Sequence, residues 1–129
     1  MKVCIPSSVP DPTLDSKPEP ILGNAKSYLI YDRQLDSYKV IPEFKEDTHN
    51  CKLAMYLDDN DVDVVIAHKL CKACFSLLES FEIDLWRCDG CKTIREVYQK
   101  YIMGGIFHRN MPDVCDCPHK SDANTIEAQ

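Results

Sequence analysis

The sequence predicts an α/β domain in which a mixed sheet of five strands is flanked by helices. Three observations carry this. VDVVIA (62–67) is an almost continuous β-branched run, the pattern of a strand covered on both faces. Two polar-flanked stretches, 46–61 and 92–103, carry apolar residues at helical spacing. Strands and helices then alternate through the second half of the chain, as in units with parallel crossovers.

KVCIP (2–6) is a short apolar run ending at Pro6 and reads as the first strand. Cys4 lies inside it and is expected to be a small buried hydrophobe, because cysteine outside disulfides is among the most buried residue types. Residues 7–24 contain Pro10, Pro12, Pro18 and Pro20, which oppose regular pairing and predict a long loop. It follows a strand end, where α/β sheets place ligands, so Ser7, Ser8 and Asn24 are candidate donors to an anion. A rigid surface connector is the competing reading.

KSYLIYDRQ (26–34) and SYKVIPEF (37–44) form a predicted hairpin with its turn at Leu35–Asp36. In 46–61, Leu53, Ala54 and Leu57 mark one helical face, with Thr48, His49 and Asn50 as cap chemistry before it. After the strand 62–67 and a His68–Leu70 linker, Cys74, Leu77, Leu78 and Phe81 fall at helical spacing. EIDLW (82–86) reads as the last buried strand. Ile94, Val97, Tyr98, Tyr101 and Ile102 then line one face of a helix stopped by Gly104–Gly105. The domain spans residues 1–107. Residues 108–129 form a polar, flexible tail containing Cys115, Cys117 and His119.

With the first two strands antiparallel and the later ones parallel to the first, several strand ends meet at one edge. The segments leaving that edge carry Cys51, then Cys71 and Cys74, then Cys88 and Cys91. Two Cys-x-x-Cys pairs, each directly after a strand-like run, are a strong ligand signal. A tetrahedral Cys4 site or an iron–sulfur cluster needs such convergent thiolates.

Composition sets the boundaries. The 129 residues suit one core of moderate size, and a 44% hydrophobic fraction excludes wholesale disorder. The net charge of −6, with no basic block, opposes a grip on nucleic-acid backbone. No run approaches the roughly 18–20 apolar residues of a membrane span. The start of the chain has no apolar core of a secretory signal. Eight cysteines therefore favour metal or redox chemistry in a reducing cytoplasm over a disulfide scaffold.

MKVCIPSS, the Pro-rich loop reaching LGNAKSYLIYD, SYKVIPE, HNC, DVDVVIA and TIREVYQKY together resemble the dinitrogenase iron–molybdenum cofactor biosynthesis family over roughly residues 1–107. DVDVVIA and TIREVYQKY are the most specific of these. The resemblance implies a ribonuclease H-like α/β fold. It also implies proteins that bind, carry or store metal–sulfur clusters, including nitrogenase cofactor precursors, rather than catalyse reactions. Where the family has a Gly-rich stretch after the DVVIA-like strand, this chain has His68, Cys71 and Cys74. Where the family has a small turn before its last helix, this chain has Cys88, Asp89, Gly90 and Cys91. His49 matches a position often occupied by His in the family.

The expected function is thus binding or carriage of an iron–sulfur or mixed metal–sulfur cluster. Cys71, Cys74, Cys88 and Cys91 are its expected metal ligands, with Cys51 and His49 as auxiliaries and His68 within reach. Lys69, Lys72, Arg87 and Lys92 flank the pairs and can offset the charge of a thiolate cluster; a solvated rim is their bland reading. A structural zinc site on the same four thiols is the first alternative, though a domain this apolar should fold without a metal staple. A thiol–disulfide protein using Cys71 and Cys74 at a helix start is the second. Cys74, on its helix's apolar stripe, can also be plain core. Cys115, Cys117 and His119 are a separate metal-capturing tail or a disordered end, and His108 is a surface residue. No Ser/His/Asp order, phosphate-binding loop or paired acids points to an enzyme. The expected partners are cluster donors and acceptors, or a second copy across the thiol rim, with no nucleic acid and no membrane.

Overall fold

The computed structural model describes residues 1–44, 51–87, 90–104 and 113–115. Its elements are β1 (Lys2–Ser7), β2 (Ser27–Asp32), β3 (Ser37–Pro42), α1 (Cys51–Asp59), β4 (Val64–Ile66), β5 (Lys69–Cys71), α2 (Lys72–Ser80), β6 (Asp84–Trp86), α3 (Ile94–Ile102) and β7 (Asp113–Cys115). The main sheet has the order β3-β2-β1-β4-β6. β1–β2 and β2–β3 are antiparallel, β1–β4 and β4–β6 parallel. This is the mixed five-stranded α/β sheet expected from the sequence, with the ribonuclease H-like fold that the family resemblance implies.

The two faces of β1 show how the pleat divides the core. Cys4 faces one side and packs with Tyr28, Ile30, Val65 and Leu85 under Leu53, Ala54 and Leu57 of α1 and Leu78 of α2. Val3 and Ile5 face the other side, with Leu29, Val64 and Ile66, under Ile94, Val97 and Tyr98 of α3. Alternation along a strand, against a period of 3.6 along a helix, is what places these sets in register. Among the described residues, no helix is long and apolar enough to cross a membrane.

The helix ends explain where β4 and β6 begin. After α1, Asp61 N–H donates to the Asp58 carbonyl at 3.1 Å and Val62 N–H to the Leu57 carbonyl at 3.0 Å. After α2, Glu82 N–H donates to the Glu79 carbonyl and Ile83 N–H to the Leu78 carbonyl, both at 3.0 Å. Both are Schellman motifs, in which the chain reverses through a left-handed residue. That residue is acidic in each case: Asp61 has φ 59° and Glu82 φ 62°. The apolar residue that follows, Val62 or Ile83, is buried and leads into the strand. Hence β4 and β6 start two residues later than their apolar runs.

Two stretches depart from the sequence expectation. Lys69 and Leu70, read as part of a linker, form β5 together with Cys71, and β5 pairs in parallel with β7 in a separate two-stranded sheet. Asp113–Cys115, inside the segment read as tail, forms β7. Cys117, His119 and His108 lie outside the described residues.

Candidate functional site

β1 and β4 end side by side, and the chain leaving β6 arrives at the same edge. A cavity of about 350 Å³ opens there. Ile5, Ile66 and Val97 contribute its apolar surface, and Lys17, Glu19, His68 and Cys91 its polar and soft groups. It lies outside the carboxyl ends of parallel strands, where the connections diverge to opposite sides of the sheet.

One wall is the Pro-rich loop, folded back along β1. Ser8 N–H donates to the Lys17 carbonyl at 3.1 Å and Glu19 N–H to the Pro6 carbonyl at 2.9 Å, so the donors are non-proline amides and the prolines take part only through their carbonyls. Ile94 and Arg95 N–H groups donate to the Ser16 and Leu14 carbonyls at 2.9 and 2.7 Å. His68 and Lys69 N–H groups both donate to the Pro20 carbonyl, at 2.9 and 3.0 Å. The loop is therefore fastened to β1, α3 and the start of β5. Ser7 Oγ and Ser8 Oγ donate to the Val9 and Lys17 carbonyls at 3.1 and 3.0 Å. These hydroxyls brace the loop, which answers the expectation that they would serve an anion.

The opposite wall is the turn before α3. Gly90, at φ +77°, occupies a conformation that other residues rarely adopt, and Cys91 follows it onto the cavity. Thr93 caps α3 by accepting from Glu96 N–H at 3.1 Å, while Glu96 Oε1 accepts from Lys92 N–H at 2.7 Å. With Ile94 and Arg95 amides bound to the loop, the first-turn donors of α3 serve structure rather than a ligand.

The predicted site residues are distributed unevenly. Cys91, half-buried against the α3-side core, shares the cavity with His68. Cys71 ends β5 and is the N-cap of α2, and Cys74 lies in the first turn of α2. Both are buried, 1% and 0% exposed, in the core on the α1–α2 side of the sheet. Cys88 and His49 lie outside the described residues, as does the side chain of Cys51. Among described side chains, no three Cys, His, Asp or Glu stand together as a metal site. Cys4 is fully buried, as its sequence predicts, and burial alone pushes its thiol up to about 12. Lys17 and Glu19 were missed in the sequence because they join the site only through the backbone pairing of their loop.

The fold is shared with solved structures of low identity. The apo form of the orange protein from Desulfovibrio gigas matches with a TM-score of 0.74 at 16% identity, over 87% of this chain and 95% of that one. A Thermotoga protein assigned as NifB and solved by NMR matches with a TM-score of 0.70 at 24% identity, over 80% and 88%. At these identities the likeness is one of fold. None of the curated proteins matches. The family described as dinitrogenase iron-molybdenum cofactor matches residues 1–104, which take in the whole five-stranded sheet and its three helices, and the chain belongs to that family.

Proposed function

We propose that this protein binds an iron–sulfur or mixed metal–sulfur cluster as cargo and carries it between donor and acceptor proteins. Family membership suggests a role in metallocluster biosynthesis or binding. The observation that carries the finer reading is the pairing of a thiol and an imidazole, Cys91 and His68, on one cavity. Soft sulfur and borderline nitrogen suit iron and related metals. At about 350 Å³ the cavity is at the small end of ligand sites, which favours a compact inorganic cargo over a nucleotide. Lys17, on the wall, offers positive charge to an anionic cluster. Cys88, one knuckle away in sequence, is the natural third donor. The protein acts here as a carrier rather than a catalyst, in the reducing cytoplasm that thiolate ligation requires. A second copy meeting it across this edge is a further candidate partner.

The burial of Cys71 and Cys74 weighs against the thiol–disulfide alternative, because a reactive thiolate must be reached by its partner. The test is anaerobic reconstitution with ferrous iron and sulfide, followed by iron and acid-labile sulfide analysis and a visible spectrum. Wild type retains both, with sulfur-to-iron charge-transfer absorption, and Cys91→Ser combined with His68→Ala retains several-fold less. Equal retention in the variant, or no sulfide in wild type, overturns the proposal.

A further inference from the structure

Charge is distributed unevenly along the strands. At the end of the sheet where β4 and β6 begin, Asp58, Asp59, Asp61, Asp63, Glu82 and Asp84 are all exposed. Cations close to them turn inward: Lys2 Nζ donates to the Asn60 carbonyl at 2.9 Å, and Lys39 Nζ to Asn60 Oδ1 at 3.3 Å.

The opposite end, where the cavity opens, has the reverse character. Lys17 lines the cavity, Lys92 follows Cys91 and Lys72 opens α2. Lys26 N–H donates at 2.9 Å to the carbonyl of Ser7, the last residue of β1. All four lysines are exposed. Among the described residues, none of their ammonium groups is held in a hydrogen bond or ion pair. The described acids at this end are Asp11, Asp15, Glu19 and Glu43. Asp15 is paired with Arg95 at 3.0 Å, and Glu19 Oε2 accepts from Ile21 N–H at 3.2 Å. α1, α2 and α3 each start at this end and finish at the acidic one, so their dipoles add positive character to the same rim. The chain is thus polarised along its strands, although its net charge is −6.

We infer that Lys17, Lys26, Lys72 and Lys92 form a docking rim for an acidic protein surface, which meets the molecule at the cavity mouth. A local acidic patch on a partner faces the rim alone. A nucleic-acid duplex, charged every ~1.7 Å, extends past the rim to the acidic remainder of the chain. A second copy also offers an acidic end, but that contact is head-to-tail and propagates into rings or filaments, and it joins two chains of like net charge. Complementary charge of this kind speeds encounter and orients the partner over the mouth. The docking face does not depend on what the cavity carries.

The probe is a short poly-L-glutamate peptide, titrated at low ionic strength into the reduced, metal-free full chain and followed by amide chemical shifts. The shifts gather around Lys17, Lys26, Lys72 and Lys92, and affinity falls as salt rises. Lys72→Glu with Lys92→Glu, both outside the cavity lining, weakens binding by at least about tenfold, as reversal of two contacting charges should. Lys26→Glu gives a second, independent loss. Arg33→Glu with Lys100→Glu, in the β2–β3 turn and the last turn of α3, makes the same change in net charge and weakens binding by less than about twofold. Far-UV circular dichroism checks that each variant keeps its fold, as surface substitutions usually do. Absence of binding at low salt, equal loss in the two double variants, or shifts centred elsewhere overturns the inference. So does tighter binding of a DNA duplex through the same lysines, which assigns the rim to nucleic acid. Self-association in sedimentation that is abolished by the Lys72 and Lys92 changes assigns the rim to a second copy and overturns the inference as well.

Discussion

Cys4 gives the clearest test of the core. It sits on the central strand, in register with Ile30 of β2 and Val65 of β4, and is fully buried. Burial raises its thiol from 9.0 to about 12. A thiol whose pKa is raised in the fold is held in its protonated form. Its contribution to stability is complete below pH 9 and is lost as pH climbs from 9 toward 12, because the unfolded chain ionises first. At pH 10 the unfolded thiol is about nine-tenths ionised and the folded one hardly at all, which costs about 1.4 kcal/mol of stability. The comparison is urea unfolding of wild type and Cys4→Ala, reduced, at pH 7 and pH 10. Alanine has no such titration, and other groups cancel between the two proteins. The advantage of wild type over Cys4→Ala should shrink by about 1.4 kcal/mol, or about 0.7 M in midpoint at an m-value near 2 kcal/mol/M. An advantage that is the same at both pH values would refute the buried, neutral thiol.

Two further substitutions test how the helices are ended. Glu82→Gly removes a side chain from a left-handed position and should raise stability by about 0.5–1 kcal/mol, read as a higher urea midpoint. A lower midpoint would mean that the Glu82 side chain supports the turn. Thr93→Ala deletes the acceptor for Glu96 N–H and should cost about 1 kcal/mol, whereas Thr93→Ser should cost far less. Equal losses for the two would assign the effect to the threonine methyl group rather than the cap.

Most of the frame could be read directly from residue pattern. The β-branched run at 62–67, the apolar run in 2–6 and the helical stripe through Ile94, Val97 and Tyr98 each specify one element, and the stripe also specifies its buried face. Gly104, at φ +78°, signals the end of α3 in the ordinary way. Asp61 and Glu82 give no such signal, since acidic residues in a left-handed cap look like the start of the next strand. That is why the strand boundaries at 62 and 82 were expected too early. Strand β5 was hidden for another reason. Its pairing partner lies beyond residue 112, and a three-residue strand has no periodicity of its own. For the site, the convergence of strand ends follows from topology, and it brings Cys91 and His68 to one cavity. The burial of Cys71 and Cys74 follows from the apolar stripe of α2, which competes with any ligand reading of the same residues. Spacing alone does not show which side of a sheet a cysteine occupies.

The Pro-rich loop, fastened by backbone bonds to β1, α3 and β5, has a consequence for the timing of exchange. A wall that is already in place has no segment to order when cargo arrives, and none to unfold when cargo leaves. On the proposed carrier reading, nothing on this wall has to move for a cluster to enter or leave, and the metal–donor bonds set the rate. Slow retention has no structural lock on this side of the cavity, so a cargo held here turns over at the rate its own bonds allow. Under that proposal, this wall suits a courier more than a vault.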